Sequence, residues 1–228
     1  MKRFISQIVR SGSPILVFSV LALTSCGGGG GGGGGDAVGG DRFGVRVLHS
    51  GLEISPAEYT DPNDETVLHQ VRFLGANVYR MFPEGPHTVS LFRQNSGGSR
   101  FISSLSFSVE PETRYTVLLY GDQTELGPRS SVFTDNVPEL SEGEAAVRFI
   151  HGVDGATAIS IGDLTVSFGS ASAYEKVASG EFSFTVTRSA DGQVITSGTL
   201  TLEDKRSYSI LVGGEVDVYV GTQLSADG

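Results

Sequence analysis

Apolar and polar residues alternate one for one along most of the chain beyond residue 42. Val89 and Leu91 alternate with Thr88 and Ser90, then Leu105, Phe107 and Val109 with Ser104, Ser106 and Ser108, and Tyr115, Val117 and Leu119 follow the same rule. Further on, Phe182, Phe184 and Val186 alternate with Ser183, Thr185 and Thr187, while Tyr208, Ile210 and Val212 close the pattern. A strand points successive side chains to opposite faces, so each run predicts a strand with one buried and one wet side. Serine and threonine on the second side suit sheets open to solvent there. Asn95-Ser96-Gly97-Gly98 and Ala190-Asp191-Gly192 fall between runs and read as hairpin loops. No stretch long enough for a helix carries a helical period, so the fold class is all-β.

The alternating region occurs twice. Val45-Arg46-Val47-Leu48-His49 returns as Val147-Arg148-Phe149-Ile150-His151. Phe73 to Tyr79 returns as Phe168 to Tyr174, Glu84 to Leu91 as Ser179 to Val186, and Arg114 to Leu118 as Ser207 to Leu211. Anchors in the same order at nearly constant offset predict one module used twice. The first copy carries an insertion, Pro56 to Gln70, that the second lacks. Between the copies, Thr134 to Glu144 is acidic, holds a proline and a glycine, and does not alternate, so the boundary falls there. The expected layout is 42–137 for the first sandwich, 138–144 for a linker and 145–228 for the second. Each copy is expected to build about seven short strands around its own core, with Val216 to Val220 supplying the last strand. The short linker predicts two sandwiches lying end to end.

These anchors resemble the domain of unknown function 4397 over Phe43 to about Tyr219. The resemblance implies tandem immunoglobulin-like β-sandwich domains of the kind found in bacterial exported and surface proteins. The motifs are structural, so the resemblance implies a fold and no reaction.

The front of the chain adds a location. Lys2, Arg3 and Arg10 precede a short apolar run that ends at Leu23-Thr24-Ser25-Cys26, so 1–25 reads as a secretory signal peptide. Pro14 to Leu23 is far shorter than the ~20 residues that span a bilayer as a helix. Cys26 is the only cysteine, and its setting resembles a bacterial lipobox, which implies diacylation at its thiol and cleavage just before it. By resemblance to Gram-negative lipoproteins, Gly27 after the cysteine implies the outer membrane. Residues 26–41 then form a tether: Gly27 to Gly35 is unbroken glycine, with a reach on the order of 20 Å. Loss of the signal removes three positive charges and moves the net charge from −10 to −13, which argues against nucleic acid as a partner.

Candidate chemistry is sparse. His49 and His151 occupy equivalent positions, but neither copy offers a second histidine or a cysteine beside them at ligand spacing, so packing at a sheet end is the expectation. Tyr79 and Tyr174 are expected to pack as anchors with their hydroxyls at the surface. Asp61-Pro62-Asn63-Asp64-Glu65 is rich in oxygen ligands, yet Thr66 and Arg72 stand where a calcium loop needs glycine and glutamate. That segment reads instead as a possible recognition loop of Asp61, Asn63, Asp64 and Glu65 within the insertion. Gly169-Ser170-Ala171-Ser172-Ala173 lacks the closing glycine and the α/β setting of a nucleophile elbow. No catalytic residue, metal site or cofactor is therefore expected. The sequence points to a lipid-anchored, non-catalytic envelope protein that binds a protein or glycan or serves as a spacer. The alternative is an exported hydrolase with a site formed between the two domains.

Overall fold

The computed structural model describes residues 44–51, 57–60, 67–76, 78–95, 98–121 and 128–227. All regular structure in them is strand. The first repeat holds β1 (Gly44–His49), β2 (Ala57–Thr60), β3 (Val67–Val71), β4 (Gly75–Ala76), β5 (Gly85–Asn95), β6 (Gly98–Val109), β7 (Arg114–Tyr120) and β8 (Arg129–Thr134). The second holds β9 (Glu144–Asp154), β10 (Ala158–Ile161), β11 (Leu164–Ser167), β12 (Glu175–Ala178), β13 (Gly180–Arg188), β14 (Val194–Leu202), β15 (Ser207–Glu215) and β16 (Tyr219–Ala226).

Each repeat is a pair of four-stranded sheets. The orders are β4-β1-β7-β8 and β3-β2-β5-β6 in the first, and β12-β9-β15-β16 and β11-β10-β13-β14 in the second. The two topologies are the same, so the duplication read from the anchors is a duplication of fold. It also corrects the reading of Pro56 to Gln70 as an insertion: β2 and β3 lie in that segment and are matched by β10 and β11, and the repeats differ there in the connection, 61–66 against 162–163. Neighbours pair antiparallel except at the centre of one sheet in each repeat, where β1 runs parallel to β7 and β9 to β15. β13 and β14 pair on either side of Ala190-Asp191-Gly192, where the turn residues put the hairpin; β5 and β6 also pair, and Ser96-Gly97 between them lies outside the described residues.

Period two decides what fills each sandwich. Val45, Val47, Val117 and Leu119 point inward and meet Phe82, Val89 and Val109. In the second repeat Val147, Phe149, Ile210 and Val212 meet Ile159, Val166, Phe184 and Val186. A small turn recurs before each seventh strand. Glu112 and Lys205 take left-handed backbone there, and the hydroxyls of Tyr115 and Tyr208 accept the backbone N–H of Glu110 and Glu203 at 3.2 and 2.9 Å.

The other face of the central strands is not wet. Every residue of β1 is buried, as are all of β7 but its first residue and all of β9 between its ends. Leu48, Leu118 and Tyr120 of the first repeat pack against Ile150 and Leu211 of the second, which forms a third apolar cluster between the sandwiches. Burying one such aliphatic side chain stabilises by about 1.5–3 kcal/mol. The repeats thus lie sheet against sheet, not end to end. A backbone bond from Gly214 N–H to the carbonyl of Ser50, at 3.0 Å, crosses the same face. Two smaller expectations also change: each repeat holds eight strands among the described residues, and the last is Tyr219–Ala226, with Val216 to Val218 in the turn before it.

Candidate functional site

The face between the repeats gathers the most concentrated polar chemistry among the described residues. It arises because each first strand carries one arginine inside an apolar run, and strand geometry sends Arg46 and Arg148 outward from their own cores. Each guanidinium is then covered by the other repeat, and both are at most 2% exposed. A charge in that position needs a partner, since leaving one unpaired in a dry site costs several kcal/mol.

The partners come from equivalent positions in both repeats. Arg46 forms an ion pair with Asp227, which follows β16. Arg148 pairs through Nη2 with Asp135, which follows β8, at 2.5 Å. Each pair crosses from one repeat to the other. Two hydroxyls link them: Thr116 accepts from Arg46 Nε and from Arg148 Nη2, both at 2.9 Å, and donates to Asp135 at 2.8 Å. Ser209, its counterpart in β15, accepts from Arg148 Nε and Arg46 Nη2 and donates to Asp227, all at 2.8 Å. Ser225 takes a further Arg46 proton at 2.6 Å.

Tyr79 and Tyr174 complete the set. Each phenol donates to the aspartate of its own repeat at 2.6 Å, and each ring lies under the arginine of its own repeat at 4.9 and 4.6 Å. Their hydroxyls are therefore inside the network and not at the surface, which corrects the sequence expectation. Burial raises the pKa of both phenols, and the adjacent carboxylates add to it, while the arginines pull the other way. Both remain protonated donors. Burial works to lower the pKa of Arg46, but Asp227, Tyr79 and Asp135 outweigh it and the net shift is upward. Two cations, two carboxylates and the hydroxyls between them form one linked set, and a third guanidinium, Arg114, borders it by donating to the Asp227 carbonyl and lying 5.6 Å from the Tyr79 ring. It can fix geometry.

The far end of the same face is assembled by size. Gly213 stands where the first repeat has Tyr120, and a Cβ there would lie 2.7 Å from Ser50 Cβ and 3.1 Å from Leu74. A Cβ on Gly169, the counterpart of Leu74, would meet the ring of Tyr120, and one on Gly221 would come within 2.5 Å of Leu74. Bulk on the first repeat fits glycine on the second.

His49 and His151 are buried on the core side of their strands. His49 Nδ1 faces the carbonyl of Val71 at 2.9 Å, so that nitrogen carries the proton. His151 has the opposite tautomer, because Nδ1 accepts from Val153 N–H at 3.1 Å and Nε2 donates to Ala156 O at 3.0 Å. Burial lowers the pKa of each to about 4 against the weaker opposing pull of these carbonyls. They are neutral structural ties at neutral pH. Ser172 accepts from Phe149 N–H and donates to Ala173 O, a local tie beside β9. No group of three metal-ligating side chains occurs among the described residues. Cys26 and the loop Asp61, Asn63, Asp64 and Glu65 lie outside the described residues.

Sequence reasoning missed Arg46, Arg148, Asp135 and Asp227 as a set. The signal was present: an arginine in the middle of an apolar strand, repeated in both copies, requires a buried acid. Asp135 falls in the acidic, non-alternating boundary Thr134 to Glu144, where sequence alone gives it no partner. With this geometry in view, comparison with known proteins adds one match. A family described as Domain of unknown function (DUF4397) matches residues 43–162, which span the first repeat and the opening of the second. No curated protein matches the chain.

Proposed function

The chain belongs to the domain of unknown function (DUF4397) family, and from that premise we propose that it is a lipid-anchored, non-catalytic protein of a bacterial envelope whose work is contact or display. The observation that carries this reading is the closed face between the repeats. Arg46, Arg148, Asp135 and Asp227 neutralise one another there, so the strongest buried charges serve to hold two sandwiches as one body. Such a body presents loops in fixed relation to one another. Cys26, acylated, would fix it to the outer membrane, and Gly27 to Gly35 would let it range on the order of 20 Å. Contact falls to the longer connection between β2 and β3 of the first repeat, where Asp61, Asn63, Asp64 and Glu65 favour a basic or polar protein or glycan through steering. A hydrolytic site between the repeats is the competing reading. It needs polar groups at that face free for substrate, whereas the arginines and aspartates there are bound to one another.

Metabolic labelling with a fatty-acid analogue should mark the wild type and leave Cys26→Ala unmarked; equal labelling of both removes the anchor. Deleting Asp61 to Glu65 should weaken binding to intact cells or envelope extract and leave the melting temperature within a few degrees. Unchanged binding discards that loop. Turnover on an ester and glycoside panel, lost on mutating His49 or His151, overturns the non-catalytic reading.

A further inference from the structure

The two repeats fill the space between their sheets differently. In the first, Phe82 enters the core at 4% exposure and meets His87 edge to face at 5.2 Å. Phe82 lies two residues beyond Arg80, which bridges Val45, and its counterpart lies two beyond Glu175, which pairs with the equivalent Val147. That counterpart is Val177. Where the first repeat inserts a ring, the second has an isopropyl group.

A cavity of about 330 Å³ opens at that place. Val147, Phe149, Ile161, Val177, Phe182 and Phe184 give it an apolar and partly aromatic wall. Glu175 is the one charged residue lining it, with Ser183 and Thr185 as polar neighbours. Its size is at the lower end of ligand pockets, about 300–1,000 Å³, and those share its apolar lining with a few polar groups. An apolar cavity of about 150 Å³ is already enough to take up benzene.

We propose that this cavity is a binding site for a small ligand with a single aromatic ring, neutral or cationic. The ring would take the place that Phe82 fills in the first repeat, between the two sheets and beside Val177. The duplicated fold itself supplies the template: the same gap, in the same topology, is occupied by a phenyl group in the other copy. Glu175 at the lining sets the charge preference, since a carboxylate ligand would bring like charges together, while an ammonium substituent would be attracted. The site is independent of the face between the repeats, so it neither needs nor disturbs the network there.

The test uses the purified protein with methyl-labelled Val, Ile and Leu, titrated with benzylamine and, separately, with benzoate. Benzylamine should shift the methyl signals of Val147, Ile161 and Val177 saturably, and benzoate should require at least tenfold more ligand for the same shift. Val177→Phe should abolish the benzylamine response and raise the melting temperature, because the new ring fills the gap. Should that variant fail to fold, Val177→Leu fills part of the gap and should weaken the response. The proposal is overturned if benzylamine leaves those methyls unmoved. It is equally overturned if both probes act alike, or if the response survives in the variants unchanged.

Discussion

The face between the repeats has two ends, and they follow different rules. At one end Arg46, Thr116, Tyr79 and Asp135 meet Arg148, Ser209, Tyr174 and Asp227, with each arginine paired to the aspartate of the other repeat and each tyrosine bonded to the aspartate of its own. At the other, Tyr120 and Leu74 of the first repeat face Gly169 and Gly213 of the second, and the equivalent positions no longer match in size. The paired arginines and aspartates keep the symmetry of a duplicated pair, broken at the edge where Arg46 also bonds Ser225, whose counterpart in the first repeat is Phe133. The size-matched end does not keep it. Two first repeats would bring Tyr120 and Leu74 against each other, and two second repeats would leave glycine facing glycine. The difference teaches that attraction and selectivity are separable here: the network holds two copies together, and bulk against glycine specifies which two.

The charged end is where a single change should cost most. Arg148→Met strands Asp135 in a dry site, and removing one partner of a buried ion pair costs about 3–5 kcal/mol. Arg46→Met should cost as much by stranding Asp227. If the symmetry is energetic as well as geometric, the two losses in denaturant unfolding agree within about 1 kcal/mol, given the usual scatter between sites. A loss below about 1 kcal/mol in either would remove that arginine from the interface.

Acid should act next, through two histidines on the core side of β1 and β9. His49 and His151 each have a folded pKa of about 4, below the ordinary value of 6.5, so the unfolded chain binds protons first as pH falls. Their contribution is fully present above pH 6.5, is lost progressively between 6.5 and 4, and does not change further below 4. Each histidine accounts for a loss on the order of 3 kcal/mol across that window. Unfolding free energies at pH 7 and pH 4.5 should show the fall, and His151→Phe should remove about half of this component. A pH-independent stability would contradict the neutral, buried assignment.

The size-matched end should be the mildest to disturb. Gly213→Val forces a side chain against Ser50 and Leu74, and overpacking of that kind costs about 1–3 kcal/mol. Trimming Leu74 to Ala in the same chain should recover part of the loss, which a double-mutant cycle measures. Additive effects would mean that the two residues do not meet.

Much of the fold was legible because strands announce themselves by period two. The anchors around Val45 and Val147 carried the duplication, and Asp191-Gly192 carried a hairpin. What the period does not reveal is what covers the second face. Thr116 and Ser209 looked like solvent-facing hydroxyls, and in isolation they would be; here they are the joints of a buried network. Leu48 and Ile150 on the same face were the contrary sign, since a wet side has no need of them. Tyr79 and Tyr174 were recognised as anchors, but the depth of their hydroxyls depends on the other repeat, which local sequence does not encode. Val177 was aligned with Phe82 by the anchors on either side, but that the exchange of ring for isopropyl leaves a gap depends on the packing of the two sheets.

Calorimetric unfolding of the intact protein at neutral pH tests the shared face most directly. Because the ion pairs and the cluster of Leu48, Leu118, Ile150 and Leu211 bind the sandwiches to each other, neither should melt while the other stands. A single transition is expected, with equal calorimetric and van't Hoff enthalpies. Two resolved transitions, unchanged in Arg148→Met, would contradict it and return the repeats to independent domains.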